Sequence, residues 1–309
     1  MKIKVQQLRK VFGKNTALDG ISFSFDSGHI FGFVGPNGAG KTTTMRILST
    51  MMEPDGGDAF IDGVSVVQDP EQVRRHVGFV PDALPEHKDI TVSEYLDFFA
   101  RAYGMRGMRR RQALDNIVEF TGVGNMLDKT LAALSKGMKQ RVSVGRALLN
   151  DPAVILMDEP AAGLDPRARI ELRELLNVLA EQKKAILMSS HILSELTEIC
   201  HGVIIIEQGR ILETGTVAEI KKRLQATLKL AIRPLDRKEE VGRALRQLPK
   251  VEGLHEEAGE LVVSVDGDEQ AGADILTYLV QQGFRLAEFR QESMDLEDIF
   301  MSITKGGVQ

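Results

Sequence analysis

The sequence predicts an α/β fold, and three observations predict it. A glycine-rich stretch, GPNGAGKTT at 35–43, stands between an apolar run, Ile30-Phe31-Gly32-Phe33-Val34, and a helical stretch, TTMRILSTMM. That is the strand–loop–helix setting of a phosphate-binding loop, or P-loop. Strand-like apolar runs and helical periods alternate again between 153 and 207. Past residue 222 the order becomes β-α-β-β-α-β in short segments, the order of a ferredoxin-like unit. The chain is read as two domains. Residues 1–222 form a P-loop core with an antiparallel β subdomain and a helical insertion at about 86–150. Residues 223–309 form a small α+β C-terminal domain.

Composition bounds what this fold can do. The chain has 309 residues, 43% of them hydrophobic, enough for a sizeable core in each of two domains. A net charge of −5 and a pI of about 5.8 speak against a nucleic-acid partner. The single cysteine, Cys200, excludes an internal disulfide, fits a reducing compartment and reads as a core residue. No apolar run approaches 18 residues, so a membrane-spanning element would have to come from a partner. The first residues, MKIKVQQLRK, carry no apolar signal segment.

Residues 1–27 alternate apolar and polar through Ile3 and Val5, then Ile21, Phe23 and Phe25. Gly13 and Gly20 punctuate them, which reads as strand, turn, strand. Pro54-Asp55-Gly56-Gly57 is a turn, Asp58–Ile61 a strand, 70–76 a short helix, and VGFVP at 77–81 a strand ending at Pro81-Asp82. Thr91 and Glu94 make a capping box that opens a helix with Tyr95, Leu96, Phe99 and Tyr103 at helical spacing. A second helix carries Leu114, Ile117 and Val118, and a third runs from about Lys136 to Leu149. AVILMD at 153–158 is continuous and apolar, as a buried parallel strand should be. A helix at 166–181, a strand at 184–189, a helix at 191–200 and a strand at 203–207 follow, then a hairpin. In the C-terminal domain the strands are 227–233, 251–256, 260–266 and 284–290, the helices 236–248 and 269–282, with a last helix at 294–303.

The chemistry starts at the P-loop. Glycines at 35, 38 and 40 let backbone N–H groups turn inward around an anion, and the helix beginning near Lys41 adds its positive end. Lys41 reaches β- and γ-phosphates, and the Thr42 hydroxyl is placed to ligate magnesium. Asp158 stands at the tip of the 153–158 strand, where a magnesium ion needs an acid. Glu159 follows, placed to orient or deprotonate an attacking water. Ser135 and Gly137 open a helix about twenty residues earlier, a second surface for an anion. Ala162-Gly163-Leu164-Asp165-Pro166 follows the acids, and His191 follows the 184–189 strand, within reach of a γ-phosphate. Alone, a Ser-x-Gly is an ordinary cap, an Asp-Glu pair an ordinary loop and a histidine a structural residue. Their order around a P-loop removes those readings.

This set resembles the nucleotide-binding subunit of ATP-binding cassette (ABC) transporters, over roughly residues 1–222. The resemblance implies ATP and Mg2+ as ligands and assigns roles. Gly35, Pro36, Asn37, Gly38, Ala39, Gly40, Lys41, Thr42 and Thr43 would be the Walker A loop, and Phe12 would stack on adenine. Residues 134–138 would be the signature motif, 154–159 the Walker B strand, 161–166 the D-loop and His191 the switch histidine. Two subunits would sandwich two ATPs head to tail, Ser135 and Gly137 of one closing on the γ-phosphate held by Lys41 of the other. The second subunit would be another copy or a homologous ATPase subunit.

Two positions depart from the family pattern. Asp82 stands where the family has a glutamine that contacts magnesium, and the signature reads Leu-Ser-Lys-Gly-Met with a cation at Lys136. LSKGMKQR, with LEDIFMSIT near the end, is similar to the exporter branch that handles drugs, lipids and polysaccharides. There the polytopic membrane subunit is a separate chain, and the ATPase would sit at the cytoplasmic face of the cell membrane. Its hydrolysis of ATP would be coupled to transport. The C-terminal domain would serve dimerisation or regulation. Arg106, Arg109, Arg110 and Arg111 read as a solvated face, or as a contact for anionic lipid or an acidic loop of the membrane subunit. One exposed member of the aromatic stripe Tyr95, Phe98, Phe99, Tyr103 would belong to the partner interface. The alternatives are a soluble ABC ATPase acting on ribosomes or DNA and a module that binds ATP only to dimerise. One P-loop, no coiled coil and no zinc cysteines weigh against the first; Glu159 and His191 weigh against the second.

Overall fold

The computed structural model describes residues 2–84, 89–192, 196, 199–216, 219–220, 227–257 and 259–292. The expected helix at 294–303, half of the helix at 191–200, the start of the helical insertion at 86 and the boundary at 222 lie outside them. The chain divides into two compact units, Met1–Thr216 and Val217–Gln309.

The first unit holds two sheets. Strands β1 (Lys2–Phe12), β2 (Asn15–Asp26), β4 (Gly56–Ile61) and β5 (Val64–Ser65) form an antiparallel sheet in the order β2-β1-β4-β5. Alternation drives it: Ile3, Val5, Leu8, Ile21, Phe23 and Phe25 are buried while their neighbours face out. Gly20 does not break the chain as expected. It lies inside β2, beside a bulge at Gln7, where the β1–β2 register shifts between Val5 and Leu8.

The second sheet runs β10-β9-β3-β8-β7-β6. It comprises β3 (Ile30–Val34), β6 (Val77–Val80), β7 (Val154–Met157), β8 (Ala185–Ser190), β9 (Gly202–Glu207) and β10 (Arg210–Thr216). All pairs are parallel except β9–β10. β3, β7 and β8 are buried along their whole length, which is why they read as unbroken apolar runs. The core lies where the two sheets meet: the Phe23 and Phe33 rings are 5.5 Å apart, those of Phe25 and Phe31 5.3 Å.

Helices α1 (Lys41–Leu48), α2 (Pro70–His76) and α6 (Pro166–Glu181) belong to the core; α3 (Val92–Ala102), α4 (Gly107–Thr121) and α5 (Lys136–Leu148) form the insertion. The Thr91–Glu94 capping box is formed in both directions, Glu94 N–H to Thr91 Oγ1 at 3.3 Å and Thr91 N–H to Glu94 Oε2 at 2.9 Å. Tyr95 is buried, while Phe98 is 64% exposed and joined on the surface by Tyr103 and Met108. Arg110 pairs with Asp97 at 3.1 Å, so the arginine cluster is partly tied to α3. Arg146, late in α5, donates to the Phe79 carbonyl of β6 and lies 5.2 Å from the Phe99 ring of α3.

The second unit has strands β11 (Thr227–Pro234), β12 (Val251–Glu257), β13 (Glu260–Asp266) and β14 (Leu286–Glu292), with helices α7 (Lys238–Arg246) and α8 (Glu269–Gln281). Its sheet is antiparallel throughout, in the order β12-β13-β11-β14. That is the ferredoxin-like arrangement the βαββαβ order predicts. Leu230, Ile232, Val263 and Val265 form its core with Val241, Leu245, Ile275 and Leu279 of the helices.

Candidate active site

Parallel register brings the candidate residues to one edge. Val34 pairs with Ser190, and Met157 with both Met188 and Val80. The C-terminal ends of β3, β8, β7 and β6 therefore lie side by side. Each releases a candidate there: the P-loop after β3, Asp158 and Glu159 after β7, His191 after β8 and Asp82 after β6. Open parallel sheets bind ligands at this edge.

The P-loop backbone is built for glycine at two points. A Cβ on Gly35 would lie 2.1 Å from the Ile206 carbonyl oxygen; Gly40, at φ +110, would bring one within 2.7 Å of the Ala17 carbonyl. Any side chain there would push the loop off β9 and β2. Behind the loop α1 starts at Lys41, and the Thr44 hydroxyl donates to the Gly40 carbonyl at 2.9 Å.

Lys41, Glu159 and His191 come together. Lys41 Nζ donates to the carbonyls of Gly35 (2.7 Å) and Pro36 (3.2 Å) and lies 3.4 Å from Glu159 Oε1. His191 Nδ1 is 2.8 Å from Glu159 Oε2. The carboxylate thus bridges an ammonium and an imidazole, with Lys41 6% and Glu159 16% exposed. In so little solvent the charges are weakly screened.

Thr42, Asp82 and Asp158 line one open pocket of about 670 Å³, together with Arg46, Phe79 and Pro81. Asp158 is only 5% exposed. A hydroxyl and two carboxylates are hard oxygen donors, a set that fits a magnesium ion. Among the described residues no three His, Cys, Asp or Glu gather into a metal cage. Magnesium does not need one: it is usually held by one or two protein oxygens and the substrate's phosphates.

Phe12 ends β1 with its ring exposed and Lys10 Nζ 5.7 Å from the ring centroid. Asp55 fixes this corner, accepting from Lys10 Nζ at 3.0 Å and from the Val11 N–H at 2.7 Å. The Val11 bond first, and the Lys10 ammonium next, hold the Asp55 carboxyl below its ordinary value.

Ser135 and Gly137 open α5 at some remove from these groups. Ser135 caps α5, accepting from the Met138 N–H. A Cβ on Gly137 would lie 3.1 Å from Ala168 Cβ of α6, and one on Gly163, in the 161–166 turn, would lie 2.9 Å from Lys136 Nζ. Arg141 of α5 pairs with Glu171 of α6. Among the described residues no hydrogen bond joins Ser135 or Gly137 to loop 35–43.

Like the clamp at Asp55, the role of Ser189 escaped the sequence reading. Ser189, in β8, donates to Asp158 Oδ1 at 2.7 Å and accepts from the Glu159 N–H at 2.8 Å. The signal was present: a hydroxyl near the end of an apolar, fully buried strand needs a partner. Cys200 is buried, and burial pushes its thiol pKa up, so it is inert.

Comparison with known proteins places the whole chain. The family described as "ABC transporter" matches residues 18–162, and one described as "ATP-binding protein DrrA1-3-like, C-terminal domain" matches 215–304. The Nod factor export ATP-binding protein I of Ralstonia nicotianae is 39% identical over 218 residues, 71% of this chain and 68% of that protein. The linearmycin resistance ATP-binding protein LnrL of Bacillus subtilis is 27% identical over 304 residues, 98% of each chain. A solved ATP-binding subunit of an ABC transporter superposes with a TM-score of 0.65 at 31% identity, covering 72% of this chain and 93% of that one. A relative this similar over two thirds of its own length fixes the family: the chain belongs to the ATP-binding proteins of ABC transporters and is an ATPase.

Proposed function

We propose that the chain powers an ABC exporter by hydrolysing ATP at the edge formed by β3, β7 and β8, working as a head-to-tail pair. The carrying observation is the Glu159 carboxylate, held between Lys41 and His191 one residue beyond Asp158. In this reading the loop 35–43 and Lys41 hold the triphosphate. Glu159 orients a water and accepts its proton. The water oxygen bonds to the γ-phosphorus as the bond from that phosphorus to the β–γ bridging oxygen breaks, giving ADP and inorganic phosphate. His191 holds Glu159 and faces the leaving phosphate. Magnesium, when bound, neutralises charge on the β- and γ-phosphates; Thr42 and Asp158 would hold it, with Asp82 in place of the usual amide.

Three further features support the exporter reading. Relatives bear the names Nod factor export and linearmycin resistance protein, and the second is matched over nearly its whole length. No helix among the described residues is long and apolar enough to cross a membrane, which fits a separate polytopic membrane chain and a place at the cytoplasmic face. Ser135 caps its own helix and Gly137 faces Ala168 of α6; among the described residues neither is hydrogen-bonded to the P-loop of its own chain, which fits their use against the ATP of a second subunit. Phe98, Tyr103 and Met108 offer the membrane chain a docking face on the helical insertion. The C-terminal unit serves pairing or regulation. The test is a tagged pull-down from gently solubilised native membranes. Recovery of a polytopic membrane protein, with ATPase activity lowered about 100-fold or more in Glu159→Gln, is the expected result. A chain that stays out of the membrane fraction and brings down no such protein refutes the exporter reading.

A further inference from the structure

β8 is apolar until its last two residues, and Ser189 is 0% exposed. A hydroxyl so placed is costly unless both its donor and its acceptor are used. Both are used, and on consecutive residues of one loop. The direction of each bond is fixed, because a backbone N–H can only donate and an ionised carboxylate can only accept. Ser189 therefore gives its proton to Asp158 Oδ1 and its lone pair to the Glu159 N–H. With Oδ1 taken, the Asp158 carboxylate cannot turn without breaking that bond.

The second bond matters for Glu159. Its φ is +48, the left-handed region, in which a residue with a side chain is strained unless its surroundings hold it. The Ser189 hydroxyl holds the N–H of that turn, and the turn sends the carboxylate between Lys41 and His191. His191 itself lies two residues past Ser189 on the same chain segment. One buried oxygen thus holds Asp158 and Glu159 against the strand that leads to His191.

We propose that Ser189 is a positioning residue for ATP hydrolysis, fixing the Asp158 carboxylate toward the magnesium ion and the backbone turn that aims Glu159. This rests on the ATPase reading of the site and adds to it a residue that touches neither nucleotide nor metal. Ser189→Ala removes the hydroxyl at almost constant volume; Ser189→Thr restores a donor. The first readout is calorimetric ADP binding with and without Mg2+. Ser189→Ala is expected to bind ADP without metal like the native chain. Its gain in affinity on adding Mg2+ should fall about tenfold, the lower end of losses seen when the partner of a metal ligand is removed. In turnover, kcat should fall about tenfold to a hundredfold while KM for ATP changes little. Ser189→Thr should keep both the magnesium gain and kcat close to native. A native magnesium gain in Ser189→Ala overturns the proposal, whatever its kcat. Equal losses in both variants, with melting temperatures lowered alike, assign Ser189 to packing and overturn it too. A native chain that binds no ADP defeats the ATPase reading beneath it, and shows this before any substitution is made.

Discussion

Replacing Glu159 by glutamine separates binding from chemistry. The amide keeps the size of the side chain and its hydrogen bonding to His191, and it deletes the charge. At 3.4 Å the attraction between Glu159 and Lys41 is about 5 kcal/mol gross in an effective dielectric of about 20. Solvation of the two groups offsets much of it, but its sign is clear: Glu159 competes with phosphate for the lysine. Lys41 keeps its bonds to the Gly35 and Pro36 carbonyls, so the loop has no reason to collapse. ATP binding should therefore be unchanged or tighter. Turnover should fall by about 100- to 10,000-fold, the usual loss of a general base. That range is about 2.7–5.4 kcal/mol on the barrier. The assay pairs steady-state phosphate release with calorimetric ATP binding on the same preparation. Turnover within about tenfold of native would refute the role of Glu159, being well short of a lost general base. Lost ATP binding in a folded protein would refute the argument from Lys41.

Lys41→Ala should weaken ATP binding itself and lower the melting temperature, because the ammonium also ties two loop carbonyls; unchanged nucleotide affinity by calorimetry would contradict the loop's role. Asp82→Gln should preserve ATPase activity if the position needs only a polar contact with the pocket of Thr42 and Asp158; a collapse of phosphate release shows that the carboxylate has its own task. Phe98→Asp, at a 64% exposed position, should shift folding stability by about 0.5 kcal/mol or less while reducing recovery of the membrane chain in the pull-down; equal recovery removes Phe98 from that interface. The clamp at Asp55 should depend on pH. Its carboxyl is lowered in the folded chain, so the stabilisation is present above the unfolded value of about 3.8 and is lost as pH falls through the lowered folded value. Amide exchange at Val11 should rise over that acid window in the native chain and lose that dependence in Asp55→Asn.

Much of this was legible because the site is built from local grammar. A loop that must surround phosphate needs glycine where Gly35 and Gly40 approach other backbone, so GPNGAGKT carries its own geometry. Buried parallel strands need apolar residues on both faces, so IFGFV and VILM announced themselves. The Thr91–Glu94 box names its own helix start. Gly20 misled because a bulge is a property of two strands: the shift is shared with Gln7, thirteen residues earlier. Ser189 and Asp55 were missed for the same reason. Their partners, Asp158 with Glu159 and Val11 with Lys10, lie 31, 30, 44 and 45 residues away, and only folding brings them together.

Helix α5 has an unequal pair of ends. Ser135 and Gly137 stand at its beginning; Arg146, eleven residues after Ser135, grips the Phe79 carbonyl and the Phe99 ring. At about 1.5 Å per residue the two are about 16 Å apart along the axis. Held rigid and anchored at the arginine, the helix would act as a lever. A tilt of about 10° there swings Ser135 through about 3 Å, roughly the length of one hydrogen bond. The same tilt pulls on β6 just before Pro81 and Asp82. A small displacement of the insertion would thus be felt at both ends of α5, at Ser135 and beside the pocket lined by Thr42, Asp82 and Asp158.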